Sequence, residues 1–196
     1  FIIVDEAHHV KADSYKRIIR TFPKAKLLGV TATPYRMNGD GFSYIFDELI
    51  ESQPVNDFIK QKYLCDYEYY SISPSASLQK QINNIIHFDI EGDYLDEEMI
   101  KIMDTQHVLA GIVDTYHKYA KGKKGIVYTI NQTHNRHVCS QFLAANIKAE
   151  AIDSRTNPER RSEIVQQFRD GEIEVLCNVN IFSEGFDCPD VEFIQL

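Results

Sequence analysis

Nowhere in the 196 residues does an apolar run approach the ~20 residues that cross a bilayer, and no segment has the order of a secretory signal. A membrane protein is therefore excluded, and a soluble, cytoplasmic protein is expected. Cysteine is sparse: Cys65, Cys139, Cys177 and Cys188 are scattered with no C-x-x-C pair. That pattern excludes a zinc ribbon and a disulfide framework, fits a reducing compartment, and marks them as small buried apolar residues. Also absent are the H-E-x-x-H zinc pattern, a P-D-(D/E)-x-K nuclease pattern and any repeat of solenoid period. Positive charge is in deficit, 21 Lys and Arg against 29 Asp and Glu for a net charge of −8, so bulk electrostatics cannot hold nucleic acid. The charge is uneven, however. Lys11, Lys16, Arg17, Arg20, Lys24 and Lys26 crowd one segment and Asp89, Glu91, Asp93, Asp96, Glu97 and Glu98 another, each read as a solvated face. At 43% hydrophobic the chain has the composition of an ordinary globular protein, with room for one large or two small domains.

What is present begins at once. Phe1-Ile2-Ile3-Val4 is an apolar, largely β-branched run, as in a strand covered on both faces, and it ends in Asp5-Glu6-Ala7-His8-His9. Adjacent carboxylates at a strand's carboxyl end are costly without a cation, a proton or a solvated cleft, which points to a metal-nucleotide site. Residues 12 to 22 carry Tyr15, Ile18, Ile19 and Phe22 at helical spacing. Lys26 to Val30 then forms a second strand running into Thr31-Ala32-Thr33-Pro34. A right-handed strand-helix-strand crossover places that turn beside Asp5 and Glu6.

Further along, residues 42–50 and 54–63 are expected to be helices and 66–72, with alternating aromatic and polar residues, a strand. Residues 73–105 read as connecting helices or a small insertion. After them helix and strand alternate: helices at 107–120, 133–146 and 158–170, strands at 125–130, 149–152, 174–178 and 191–196. Asn157 is the expected cap of the third helix, with Pro158 at its first position and Gly171 just past its end. Such alternation implies an α/β fold, a mainly parallel sheet with helices on both faces.

Asp5-Glu6-Ala7-His8, Thr31-Ala32-Thr33 with Pro34-Tyr35-Arg36, and Glu184-Gly185-Phe186-Asp187 within residues 178–189 together resemble motifs II, III and V of the superfamily 2 helicases and translocases. Residues 125–129 with Gln132 and His134 resemble motif IV more weakly. The resemblance implies RecA-like parallel sheets flanked by helices, of the P-loop NTPase helicase type. On that basis residues 1–52 are the end of a first RecA-like domain, 53–105 a linker and connecting segment, and 106–196 most of a second. It implies ATP and Mg2+ as cofactors and nucleic acid as partner. DNA is the expected form, because order and linker look closest to restriction-enzyme motor subunits and XPB-like repair helicases; motifs II, III and V do not themselves distinguish RNA. Restriction or repair complex subunits are then possible partners.

By the same resemblance Asp5 holds magnesium through water, Glu6 activates the attacking water, and His8 lies near the γ-phosphate. Thr31 and Thr33 offer hydroxyls to the carboxylates or the histidine, as a relay, and Asp187 contacts the nucleotide ribose with Gly185 allowing close backbone approach. Arg36 faces phosphate or is merely exposed. Thr129, Gln132, Asn178, Asn180 and Ser183 stand where the family meets nucleic-acid phosphates. The start of motif V departs from the family here, Asn178-Val179-Asn180 replacing a threonine-led sequence, so which of Asn178, Asn180 and Ser183 touches nucleic acid stays open. Residues 153–156 and Arg160 and Arg161 match a segment that adds phosphate contacts, or else the arginines pair with Glu159 and Glu163. His9 has no assignable role.

No G-x-x-x-x-G-K-[ST] loop occurs, no arginine motif follows motif V, and residue 1 is not Met. An internal piece of a longer motor, inactive on its own, is therefore expected. The alternative is a non-catalytic nucleic-acid-binding or scaffold protein on the same fold, which would not need Glu6.

Overall fold

The structure, a computed structural model, describes residues 1–33, 45–71, 75–87, 94–182 and 186–196. The described residues divide into two compact units, one within residues 1–71 and the other comprising 75–87 and 94–196.

In the first unit β1 (Ile2–Val4) and β2 (Leu27–Gly29) pair in parallel, Ile3 opposite Leu28, with α1 (Asp13–Thr21) as the crossover. Strand alternation sends Val4 inward, where it joins Ala7 and Val10 against Ile2, Tyr15, Ile19, Leu27, Ile45 and Phe46. The other face is open: Ile3 is 69% exposed and Leu28 50%. The expected strand covered on both faces is thus covered on one, because the described sheet has two strands and a single helix to cover it. Ile45 and Phe46 are drawn into this core while Leu49 and Ile50 stay exposed, and 45–50 is not helical. Packing has overridden the helical spacing expected there, and residues 42–44 lie outside the described residues. Helix α2 (Val55–Lys60) is shorter than expected, since Lys62 takes a left-handed φ of 63° and Tyr63 bonds back to Phe58. Residues 66–71 do not form a strand. Tyr67, Tyr69 and Tyr70 are exposed, and alternation alone makes no strand without a neighbour to complete its ladder.

The second unit is built on a parallel sheet in the order β4-β5-β3-β6, from β3 (Gly125–Tyr128), β4 (Ala149–Ile152), β5 (Val175–Asn178) and β6 (Phe193–Gln195). Val127, Val175, Cys177 and Ala149 face α5 (Gln106–Tyr119) and α6 (Gln132–Ala144) through Leu109, Val113, Tyr116, Val138 and Phe142. Ile126, Leu176 and Ile152 point the other way, onto Ile164 and Phe168 of α7 (Pro158–Arg169). Period-two alternation along each strand thus supplies two cores to one sheet, giving the α/β layers expected. Cys139 and Cys177 are buried inside the first of these cores, whereas Cys65 is exposed, contrary to expectation. The 73–105 segment contributes α3 (Ala76–Asn83) and α4 (Asp96–Met103), which belong to this unit. His137 of α6 binds Asp104 at the end of α4 at 2.8 Å. No helix among the described residues is long and apolar enough to cross a membrane.

Candidate functional site

After Val4 the chain turns sharply. Glu6 adopts φ 47°, ψ 52°, a left-handed conformation rare for a residue with a side chain and costing on the order of 1 kcal/mol. Its amide donates to Asp5 Oδ1 at 2.9 Å, and the chain enters a 3₁₀ turn, Ala7–His9. Val30 N–H donates to the Val4 carbonyl and Ala7 N–H to the Val30 carbonyl, both at 2.9 Å, so the ends of β1 and β2 are stitched together. Only small residues fit the stitch: a Cβ on Gly29 would press on Ala7 and the Phe46 ring.

This brings the first two motifs together. His8 Nδ1 is hydrogen-bonded to Thr31 Oγ1 at 2.9 Å and lies 3.4 Å from Thr33 Oγ1 and from Glu6 Oε2. Thr33 N–H donates to Thr31 Oγ1, which holds the TAT turn itself. Of the two partners expected for the threonine hydroxyls, the histidine is the one they meet. Asp5 is exposed and Glu6 half-exposed. Their oxygens suit a hard cation, and magnesium is commonly held by one or two carboxylates plus phosphate oxygens and water, so this donor set fits it. Among the described residues no group of three or more His, Cys, Asp or Glu is placed to hold a metal. An open depression of about 380 Å³ lies along Asp13, Lys16, Arg17, Arg20 and Thr21 and includes none of the expected site residues.

In the second unit parallel pairing puts the carboxyl ends of β3, β4 and β5 at one edge of the sheet. Gln132 Nε2 donates to Ser154 Oγ at 3.1 Å, joining the first two loops. The turn after β4 closes on itself through Asp153 N–H to Thr156 Oγ1 and Arg155 N–H to Asp153 Oδ1. Arg161 donates to the carbonyls of Asp153 and Thr156 beneath it, while Arg160 pairs with Glu150 and Glu163. Of the two readings of these arginines, Arg160 shows the ion pairing with Glu163, and among the described residues neither pairs with Glu159.

Asn180 is exposed with φ 50°, and Asp187 is exposed with its carbonyl accepting from Arg169 at 3.2 Å. Thr129 and Asn178, expected against phosphates, are instead buried. The Thr129 hydroxyl donates to the Asn178 carbonyl at 2.9 Å, and Asn178, fully buried, donates to the Val127 carbonyl and accepts from the amides of Ile181 and Phe182. A polar side chain buried at the end of a central strand must satisfy its hydrogen bonds internally, so these two shape the loop from within. Ser183 and Gly185, like Arg36, lie outside the described residues.

Tyr128, read in the sequence as part of an apolar strand, donates its hydroxyl to the Phe182 carbonyl at 2.8 Å, and burial raises its phenol above the ordinary value. His134 is buried and accepts from Ile130 N–H, and burial lowers its imidazole below the ordinary value. Sequence spacing carries no sign of the Tyr128 partner, 54 residues away, whereas the Ile130–His134 bond spans only four residues.

The helicase conserved C-terminal domain family matches residues 105–195, and the type III restriction enzyme res subunit family matches residues 1–36. The chain belongs to the superfamily 2 helicases. A 51.5 kDa protein of a Lactococcus phage is 38% identical over 96% of the chain and 40% of its own length. The putative ATP-dependent helicase IRC3 of Saccharomyces cerevisiae is 28% identical over the whole chain and 29% of its own length. The DNA 3'-5' translocase XPB2 of Sulfurisphaera tokodaii is 24% identical over 96% of the chain and 49% of its own length. This superfamily 2 chain thus spans less than half the length of each of these relatives. The two family matches fall on its two units, the carboxylate turn on one and the parallel sheet on the other.

Proposed function

We propose that this chain carries one part of the ATPase centre and a nucleic-acid-engaging domain of a DNA-dependent superfamily 2 motor. The observation that carries the reading is the Glu6-His8 turn at the end of β1, hydrogen-bonded through His8 to Thr31 at the end of β2. A scaffold has no use for a left-handed glutamate held against such a relay. In this reading Asp5 holds magnesium through water, and Glu6 orients or deprotonates the attacking water. His8, Thr31 and Thr33 transmit the state of the nucleotide along the stitched strand ends. Magnesium, when bound, offsets phosphate charge and orients the transferred phosphoryl group. Asp187 and Gly185 are nucleotide contacts in this reading, and Gln132, Asn180 and Ser183 meet nucleic-acid phosphates.

ATP is supported by the name of the IRC3 relative, an ATP-dependent helicase. DNA is supported by the translocase relative and by the restriction-enzyme family on residues 1–36. The same two similarities make restriction or repair complex subunits the proposed protein partners, and scattered thiols without a disulfide favour an intracellular, reducing location. The test is ATP turnover by the full-length protein with duplex DNA, single-stranded DNA or RNA. DNA is expected to stimulate turnover and RNA not, and Glu6→Gln to reduce it by about 10²–10⁴-fold, the usual worth of a positioned general base. Turnover indifferent to both nucleic acid and Glu6→Gln would leave the scaffold standing.

A further inference from the structure

The backbone on either side of residues 183–185 is fastened by Thr129 and Asn178 of the expected site and by Tyr128 and Arg169 outside it. On the near side, the amide and hydroxyl of Thr129 both donate to the Asn178 carbonyl, at 3.0 and 2.9 Å. The Asn178 carboxamide accepts from the amides of Ile181 and Phe182 at 3.3 and 3.4 Å, and the Tyr128 hydroxyl donates to the Phe182 carbonyl at 2.8 Å. On the far side Arg169 holds the Asp187 carbonyl, and the Phe182 and Phe186 rings touch at a centroid distance of 4.1 Å. Residues 178–182 are thereby tied to β3 at several points, with Asn180 left exposed at the bend.

Tyr128 is the informative member. Its ring packs against the core shared with α7, a task that phenylalanine would perform as well. Its hydroxyl adds a contact to one backbone carbonyl 54 residues away. A part-buried phenol needs such a partner, and a tyrosine hydroxyl, protonated at neutral pH in any case, is a donor there.

We propose that Tyr128 is a positioning residue whose hydroxyl, acting through the Phe182 carbonyl, sets the 178–182 turn in the geometry that engages nucleic acid. The functional half of this inference rests on the motor reading above; the geometric half does not. Tyr128→Phe in the full-length protein keeps the ring and removes the bond. Hydrogen exchange at the amides of Ile181 and Phe182 is expected to quicken about threefold to tenfold, the span that one net hydrogen bond gives. The DNA concentration for half-maximal ATPase stimulation is expected to rise by about the same factor, with the maximal rate changed less than twofold and the melting temperature nearly constant.

Unchanged exchange at 181–182 overturns the brace, and quickened exchange with unchanged half-stimulation overturns its role in engagement. Should Tyr128→Phe fail to fold, Thr129→Val, which removes the hydroxyl bonded to Asn178, is read by the same two measurements. A wild-type protein that DNA does not stimulate overturns the motor reading and the functional half together, while exchange, measured without DNA, still decides the brace.

Discussion

Gly125 has no side chain because its neighbour across the ladder needs the space. It pairs with Phe193 of β6, and a Cβ there would overlap the Phe193 ring, itself packed on Tyr116. Gly125→Val is expected to lower unfolding stability by about 1–3 kcal/mol, the usual cost of overpacking, read from urea denaturation. His134 sets a different constraint. Its Nε2 is buried without a partner, and burial outweighs the attraction of Asp104, so the folded state holds this imidazole below its ordinary value of 6.5. The unfolded chain then takes up the proton first, and stability is full above about pH 6.5 and declines as pH falls through that value. The melting temperature is expected to drop between pH 7.5 and 5.5, and His134→Asn, which keeps an acceptor for Ile130, to shrink that drop. An undiminished drop would place the acid sensitivity elsewhere.

Helix ends are where the chain states its intentions most openly. Asn157 accepts from Glu159 N–H at 2.8 Å, Pro158 follows, and Gly171 leaves α7 at φ 78°. Asn157→Ala is expected to cost about 1 kcal/mol and Asn157→Asp much less, a contrast that denaturant midpoints would reveal. Asn131 caps α6 in the same way, through the amides of Thr133 and His134. These signals are legible because a cap acts within three or four residues. The expected helix at 42–50 and strand at 66–72 were misleading for the opposite reason. Phe46 had a core to enter, Tyr67 and Tyr69 had no adjoining strand among the described residues, and neither circumstance is written nearby in the chain.

At the scale of the molecule, the carboxylate turn and the parallel sheet belong to separate compact units, each matched by its own family. Nothing in the 196 residues supplies a Gly-rich loop and lysine to anchor the triphosphate. The isolated chain is therefore expected to hydrolyse ATP no faster than its Glu6→Gln variant. A rate above that control, in a phosphate-release assay, would show that the described carboxylates find their phosphate anchor elsewhere in this chain.

The order of the motifs, the α/β alternation and the helix caps were determined by the sequence, since each is a local pattern of polarity or backbone preference. So was the placement of the Thr31-Ala32-Thr33 turn beside Asp5 and Glu6, because two parallel strands joined by one helix leave their carboxyl ends side by side. That His8 is the partner of the threonine hydroxyls came from the structure. Which polar groups face outward was decided only by the tertiary structure. Thr129, Gln132, Asn178 and Asn180 look equivalent along the chain, yet the sheet buries Thr129 and Asn178 beneath the turn and leaves Asn180 exposed at its bend. Burial is a property of what packs on a strand, and in a parallel sheet what packs on β3 and β5 comes from residues some 50 positions away.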